Sequence, residues 1–133
     1  MEQKNSRDIS SAALAYLGDC VIELRVREFL VSCGISHAST LNSAALDFVR
    51  ASAQADAVEK ILPLLDEEEN GAFRRGRNIG HTNIPKSATA LQYRRATGME
   101  SLFGYLHCQG KNDRIDELFL VAYADTMEKY KNK

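Results

Sequence analysis

Residues 11–30 run Ser-Ala-Ala-Leu-Ala-Tyr-Leu-Gly-Asp-Cys-Val-Ile-Glu-Leu-Arg-Val-Arg-Glu-Phe-Leu. Within them Leu14, Leu17, Val21 and Leu24 recur at steps of three and four, the interval at which an α-helix returns side chains to one face. The segment is apolar nearly all round, which predicts a helix buried within a domain or between subunits, and Gly34 supplies its stop. Asp19 does not fit that pattern. Its neighbours at helical spacing are Ala15, Ile22 and Glu23, with Val26 a further turn on. An ionised carboxylate among such residues is costly unless it is paired, bound to a metal or facing a cavity. The other reading is a solvated Asp19/Glu23 stripe on a surface helix, and spacing alone leaves both open.

The same periodicity continues along the chain, and no stretch alternates as a strand between hairpin turns. The fold class expected is therefore all-α. A second helix is predicted near Thr40, capped by Ser39 or Thr40, and the Ala-rich run Ala51 to Leu65 gives a third that Pro63 bends or ends. Asp66 is placed to cap Glu67 to Arg75, with acids in the first turn and arginines in the last, as the helix dipole favours. Gly76 to Lys86, with its glycines, asparagines and Pro85, is expected to be a loop, and Ser87 to cap the next helix. That helix runs to His107, interrupted or tightened at Gly98, and Gly110 follows as a stop. Asn112 or Asp113 starts the last helix. No internal repeat or linker divides the 133 residues, so one domain, 1–133, is expected.

Apolar residues make up 44% of the chain and charged residues 26%, the balance of an ordinary soluble protein. No apolar run approaches the ~20 residues of a membrane span, and the polar start lacks the pattern of a secretion signal. A cytoplasmic protein is expected. The three cysteines, Cys20, Cys33 and Cys108, show no CxxC spacing, which supports neither a disulfide framework nor a zinc site; they are expected to be reduced core thiols. With His37, His81 and His107 they form no recognisable Cys-His pair, and Gly76 and Gly80 are followed by no GKS or GKT of a P-loop. The net charge is only -1, but it is unevenly placed. Gly71 to Met99 contains no Asp or Glu and carries Arg74, Arg75, Arg77, Lys86, Arg94 and Arg95. Such segregation implies either an electropositive surface for an anion or a solvated basic face. Glu100 stands just beyond it, in an otherwise acid-free helix. Two carboxylates on different helices can jointly hold a hard cation through oxygen ligands, although spacing cannot show that Asp19 and Glu100 meet.

Three blocks, in order, resemble a known family. Ala13-Leu14-Ala15-Tyr16-Leu17-Gly18-Asp19-Cys20-Val21-Ile22-Glu23 is similar to the RNase III signature, whose Leu-Gly-Asp core provides a metal-binding aspartate. Thr97-Gly98-Met99-Glu100-Ser101-Leu102-Phe103-Gly104 resembles the family's second signature helix, whose glutamate also binds metal. Between them Phe73-Arg74-Arg75-Gly76-Arg77-Asn78 and Pro85-Lys86 resemble landmarks of the short Mini-ribonuclease III form. Full-length members place further carboxylates where this chain has Ala15 and Thr97, and both departures resemble the short form. Asp56 is a looser candidate for an additional family carboxylate.

The resemblance implies an all-α homodimer in which the first helix, including Leu17, Val21 and Leu24, enters the subunit interface. It implies hydrolysis of double-stranded RNA with Mg2+, for which Mn2+ can substitute, the metal held by Asp19 and Glu100. The implied substrate is precursor large-subunit (23S) ribosomal RNA. Arg74, Arg75, Arg77 and Lys86 are the first candidates for phosphate contacts, which position a duplex without reading its sequence. Two other classes remain: a catalytically silent RNase III-like dimer that scaffolds RNA or a ribosomal partner, and a plain helical protein-interaction module.

Overall fold

The computed structural model describes residues 8–79 and 88–131. Every regular element among them is helical: α1 (Ser11–Ser32), α2 (Ala38–Val49), α3 (Ala51–Ile61), a 3-10 turn (Leu62–Leu64), α4 (Glu67–Arg77), α5 (Ala90–Cys108) and α6 (Asn112–Lys131). The all-α expectation holds. Caps account for several boundaries. Ser10 accepts from the Ala13 amide at 3.1 Å and starts α1. Asp66 with Glu69, and Thr89 with Gln92, form reciprocal capping boxes at α4 and α5, each satisfying two amides that a bare helix end leaves without partners.

Several local expectations change. The second helix begins at Ala38 after His37, which makes no side-chain cap, so neither Ser39 nor Thr40 serves. The third ends at Ile61, and Pro63 sits in the 3-10 turn that follows. The fourth continues through Gly76 to Arg77 rather than stopping at Arg75. Gly76 stays helical because it abuts α5: a Cβ there would overlap Ser101 and come within 3.1 Å of the Gly98 Cα. Gly98 likewise interrupts nothing; it lies buried in α5, where a Cβ would meet the Phe73 ring at 2.7 Å. Ser87, expected as a cap, lies outside the described residues, and Thr89 takes that role.

α5 is the axis of the molecule. Ser101 to Leu106 are buried without a break, with α1, α3 and α4 packed around them. Ile22, Val26 and Leu30 of α1, Phe48 of α2, Val58 and Ile61 of α3 and Ile115, Leu118 and Tyr123 of α6 complete the core. Each such side chain contributes about 1.5–3 kcal/mol through removal from water. Tyr123 packs against Phe48 and Phe119 at ring-centroid distances of 5.3 and 5.0 Å, and its hydroxyl donates to the Phe48 carbonyl at 2.9 Å. None of the three cysteines is in the core: Cys20 is exposed, and Cys33 and Cys108 are half-buried. Among the described residues no helix is long and apolar enough to cross a membrane.

Candidate active site

The first and fifth helices cross at two glycines. A Cβ on Gly18 would overlap the backbone carbonyl of Glu100, and one on Gly104 would overlap that of Leu14. Glycine in a helix interior costs about 0.5–1 kcal/mol relative to alanine, and here it permits backbone contact that no larger residue allows. Ser101 locks the crossing by donating its hydroxyl to the Ser11 carbonyl at 2.8 Å. Because Asp19 follows Gly18, and Glu100 is itself the residue that Gly18 touches, this contact brings their carboxyls together. The Glu100 carboxyl is pushed up to about 8 by burial first, then by the charge of Asp19 and hydrogen bonding to it, and last by the charge of Glu23.

Among the described residues no cation acts on Glu100. Glu23 is drawn outward by Arg27 at 3.2 Å, and the phenol of Tyr123, raised chiefly by its own burial, is raised further by the charge of Glu100. Glu69 of α4 shows the opposite arrangement. It is 3% exposed but grips the Arg114 guanidinium through both carboxylate oxygens at 2.8 Å, and that hydrogen bonding, outweighing burial, holds its pKa below the usual range. Asp19 is exposed and Glu100 half-buried, and carboxylates that repel each other without a counterion at such a surface are suited to receive one. The donor set is hard oxygen, and one or two carboxylates, with water and substrate phosphate completing the shell, is the usual protein contribution to a magnesium-type site. Among the described residues no group of three or more His, Cys, Asp or Glu is arranged for a metal.

The remaining candidates are placed as follows. Asp56 is exposed on α3 and is not among the groups acting on Glu100. Ala15, one turn before Asp19, is buried, and Thr97 spends its hydroxyl on the Tyr93 carbonyl at 3.0 Å. Arg74 and Arg75 are exposed on α4 and border a groove with Glu67, Glu68, Ile9 and Tyr105. Arg77 borders a different groove, with Asn78, Ile79, Leu91 and Arg94. Lys86 lies outside the described residues. Arg94 was visible only as part of a charge count, and nothing in the sequence separated it from its neighbour Arg95, which pairs with Glu59 of α3. The role of Gly18 carried a sequence signal: a glycine inside an apolar helical run implies close approach of another backbone.

Comparison with known proteins identifies the family. The ribonuclease III domain family matches residues 12–111. A Mini-ribonuclease 3 of Symbiobacterium thermophilum is 40% identical over 129 residues, covering 97% of this chain and 98% of the relative. That of Enterococcus faecalis is 38% identical, covering 86% and 89%. A solved structure of a Fusobacterium nucleatum protein superposes with a TM-score of 0.82 at 31% identity, covering 92% of this chain and 98% of that one. The chain belongs to the ribonuclease III family and, within it, to the Mini-ribonuclease 3 group, and it is an endoribonuclease. The family acts on RNA and uses a divalent metal ion.

Proposed function

We propose that the protein hydrolyses phosphodiester bonds in double-stranded RNA with Mg2+, or Mn2+ in its place, held by Asp19 and Glu100. One observation carries the reading: the two carboxyls meet at the Gly18–Glu100 contact, and among the described residues no cation acts on Glu100. A divalent ion bound there supplies an activated water and relief of charge on the scissile phosphate and its leaving oxygen. The chain's own part is positioning. Gly18, Gly104 and the Ser101 hydroxyl fix the crossing of α1 and α5, so the carboxylates are presented from rigid helices rather than loops. Arg74, Arg75, Arg77 and Lys86 contact phosphates and set the duplex in place.

The working unit is a homodimer built from one catalytic domain per chain. Its support is the exposed apolar side of α1, where Tyr16 is 86% and Leu24 56% exposed and Leu17 and Cys20 lie beside them. Val21 contributes less than the sequence implied, because it is already buried within its own chain. The biological substrate is the paired termini of precursor large-subunit ribosomal RNA, in the cytoplasm. The test is incubation of the protein with a pool of structured RNAs, with and without Mg2+, followed by end mapping. Staggered, metal-dependent cuts in paired segments are expected; RNA that is bound but never cut would favour the silent-scaffold alternative.

A further inference from the structure

Two grooves receive the arginines of the basic segment, and their charges differ. The groove of about 660 Å³ beside α4 is lined by Arg74 and Arg75 but also by Glu67 and Glu68, so its charges cancel. The groove of about 470 Å³ at the far end of α4 is lined by Arg77, Asn78, Ile79, Leu91 and Arg94. Its charged side chains among the described residues are both cationic. Arg77 is held ready, with its guanidinium 6.0 Å from the centre of the Phe73 ring and its Nε donating to the Asn78 Oδ1 at 3.3 Å. Neither contact neutralises it. Arg94 is exposed and enters no ion pair among the described residues, whereas Arg95, next to it on the same helix, is tied to Glu59.

We propose that Arg94 and Arg77 together hold one backbone phosphate of the RNA, which makes Arg94 a positioning residue that the basic segment's motif does not single out. The assignment rests on the double-stranded RNA reading above. Two guanidiniums from different helices converging on one groove match an anion with several acceptor oxygens. Arg94 lies six positions before Glu100 on α5, an axial rise of about 9 Å with the two side chains turned roughly 120° apart around the helix. The phosphate held by Arg94 is therefore not the scissile one, and the groove fixes the strand without touching the reacting atoms.

Arg95 provides a charge-matched control. Binding of a perfect RNA duplex is titrated against salt in Ca2+ for the parent and for Arg94→Gln, Arg77→Gln and Arg95→Gln, with single-turnover cleavage in Mg2+ run over a range of enzyme concentrations. Arg94→Gln and Arg77→Gln are each expected to flatten the logarithmic salt slope, by no more than about one phosphate contact, roughly 0.9, since both hold the same phosphate. They should raise the half-saturating concentration while leaving the saturated cleavage rate near the parent's. Arg94→Lys should recover most of the slope, and Arg95→Gln should keep all of it. A parent-like slope for Arg94→Gln, or an equal loss for Arg95→Gln, overturns the assignment while leaving the function intact. A parent that neither binds nor cuts duplex RNA overturns both.

Discussion

Glu69 and Glu100 are carboxylates drawn into the same small protein and treated in opposite ways. Glu69 is enclosed with Arg114, whose guanidinium also donates to the Leu64 carbonyl at 2.7 Å and pairs with Glu117, so the charges at the junction of α4 and α6 are answered from within the chain. Glu100 is half-buried beside another acid, the exposed Asp19, and feels the charge of Glu23, which pairs with Arg27. The first arrangement stabilises the fold; the second leaves its electrostatics to be completed from outside. A buried pair contributes little net stability but is costly to break, whereas a like-charged pair works against the empty protein and gains when a cation arrives.

The largest effect tests the second half of that contrast. Asp19→Asn and Glu100→Gln keep side-chain size and remove the charge that holds the metal. Single-turnover cleavage of an RNA duplex is expected to fall on the order of a thousandfold or more, since a bound ion is worth several kcal/mol of transition-state stabilisation. Duplex binding in Ca2+ should largely survive. If Glu100 were instead structural like Glu69, Glu100→Gln would melt earlier than the parent in EDTA; the expectation is that it melts no earlier.

Next comes the first half. Arg114→Met leaves Glu69 buried and unpaired and should cost about 3 kcal/mol of stability, toward the lower end for a broken buried pair because Arg114 is partly exposed. Urea unfolding measures it. The folded fraction should cut RNA at close to the parent rate, and a cleavage loss exceeding the loss of folded protein would mean that the clamp also serves the site.

The two glutamates should also bend stability with pH in opposite directions. The folded-state pKa of Glu69 lies below its ordinary value, so its contribution is present above about pH 4.5 and is lost as the pH falls. Glu100 is raised to about 8; in EDTA its contribution is complete below its unfolded value and is lost as the pH rises toward 8, where it ionises against Asp19 and Glu23. Melting temperatures in EDTA across pH 4–9 should therefore show an alkaline decline that Glu100→Gln abolishes and saturating Mg2+ suppresses. A decline that persists in Glu100→Gln would assign it to another group.

Much of this contrast was legible in the sequence, unequally. The helices announced themselves through periodicity and through Asp66 as a cap, and Asp19 stood out because a lone acid in an apolar helix needs a reason. Its meeting with Glu100 depends on Gly18 touching a backbone carbonyl far along the chain, and no local pattern encodes which carbonyl. Glu69 was visible only as an acid in a first turn, for its partner Arg114 lies two helices away. Gly76 and Gly98 read as loop or break signals, and their helical state follows from mutual packing of α4 and α5. The division of Arg94 from Arg95 is likewise a tertiary fact: one of two adjacent arginines faces Glu59.

The smallest effect sharpens the comparison through the caps that begin the two helices. Asp66→Ala and Thr89→Ala each remove a side-chain acceptor for a first-turn amide and should cost about 1 kcal/mol. Their couplings should differ. Asp66 accepts from the Glu69 amide at 2.8 Å, and the Asp66 amide donates to the Glu69 Oε1, the same oxygen that Arg114 holds. Asp66→Ala combined with Arg114→Met therefore disturbs one network twice, and the double variant should depart from the sum of the singles by more than about 0.5 kcal/mol. Thr89 pairs with Gln92 at the start of α5 and shares no partner with Arg114. Thr89→Ala with Arg114→Met should add within about 0.3–0.5 kcal/mol. If both pairs add, Glu69 is fixed by its cap independently of Arg114, and the clamp is no more than a pair laid on a helix end already made. If only the Asp66 pair couples, cap and clamp are one device, closed within the chain in the way that the Asp19–Glu100 site is not.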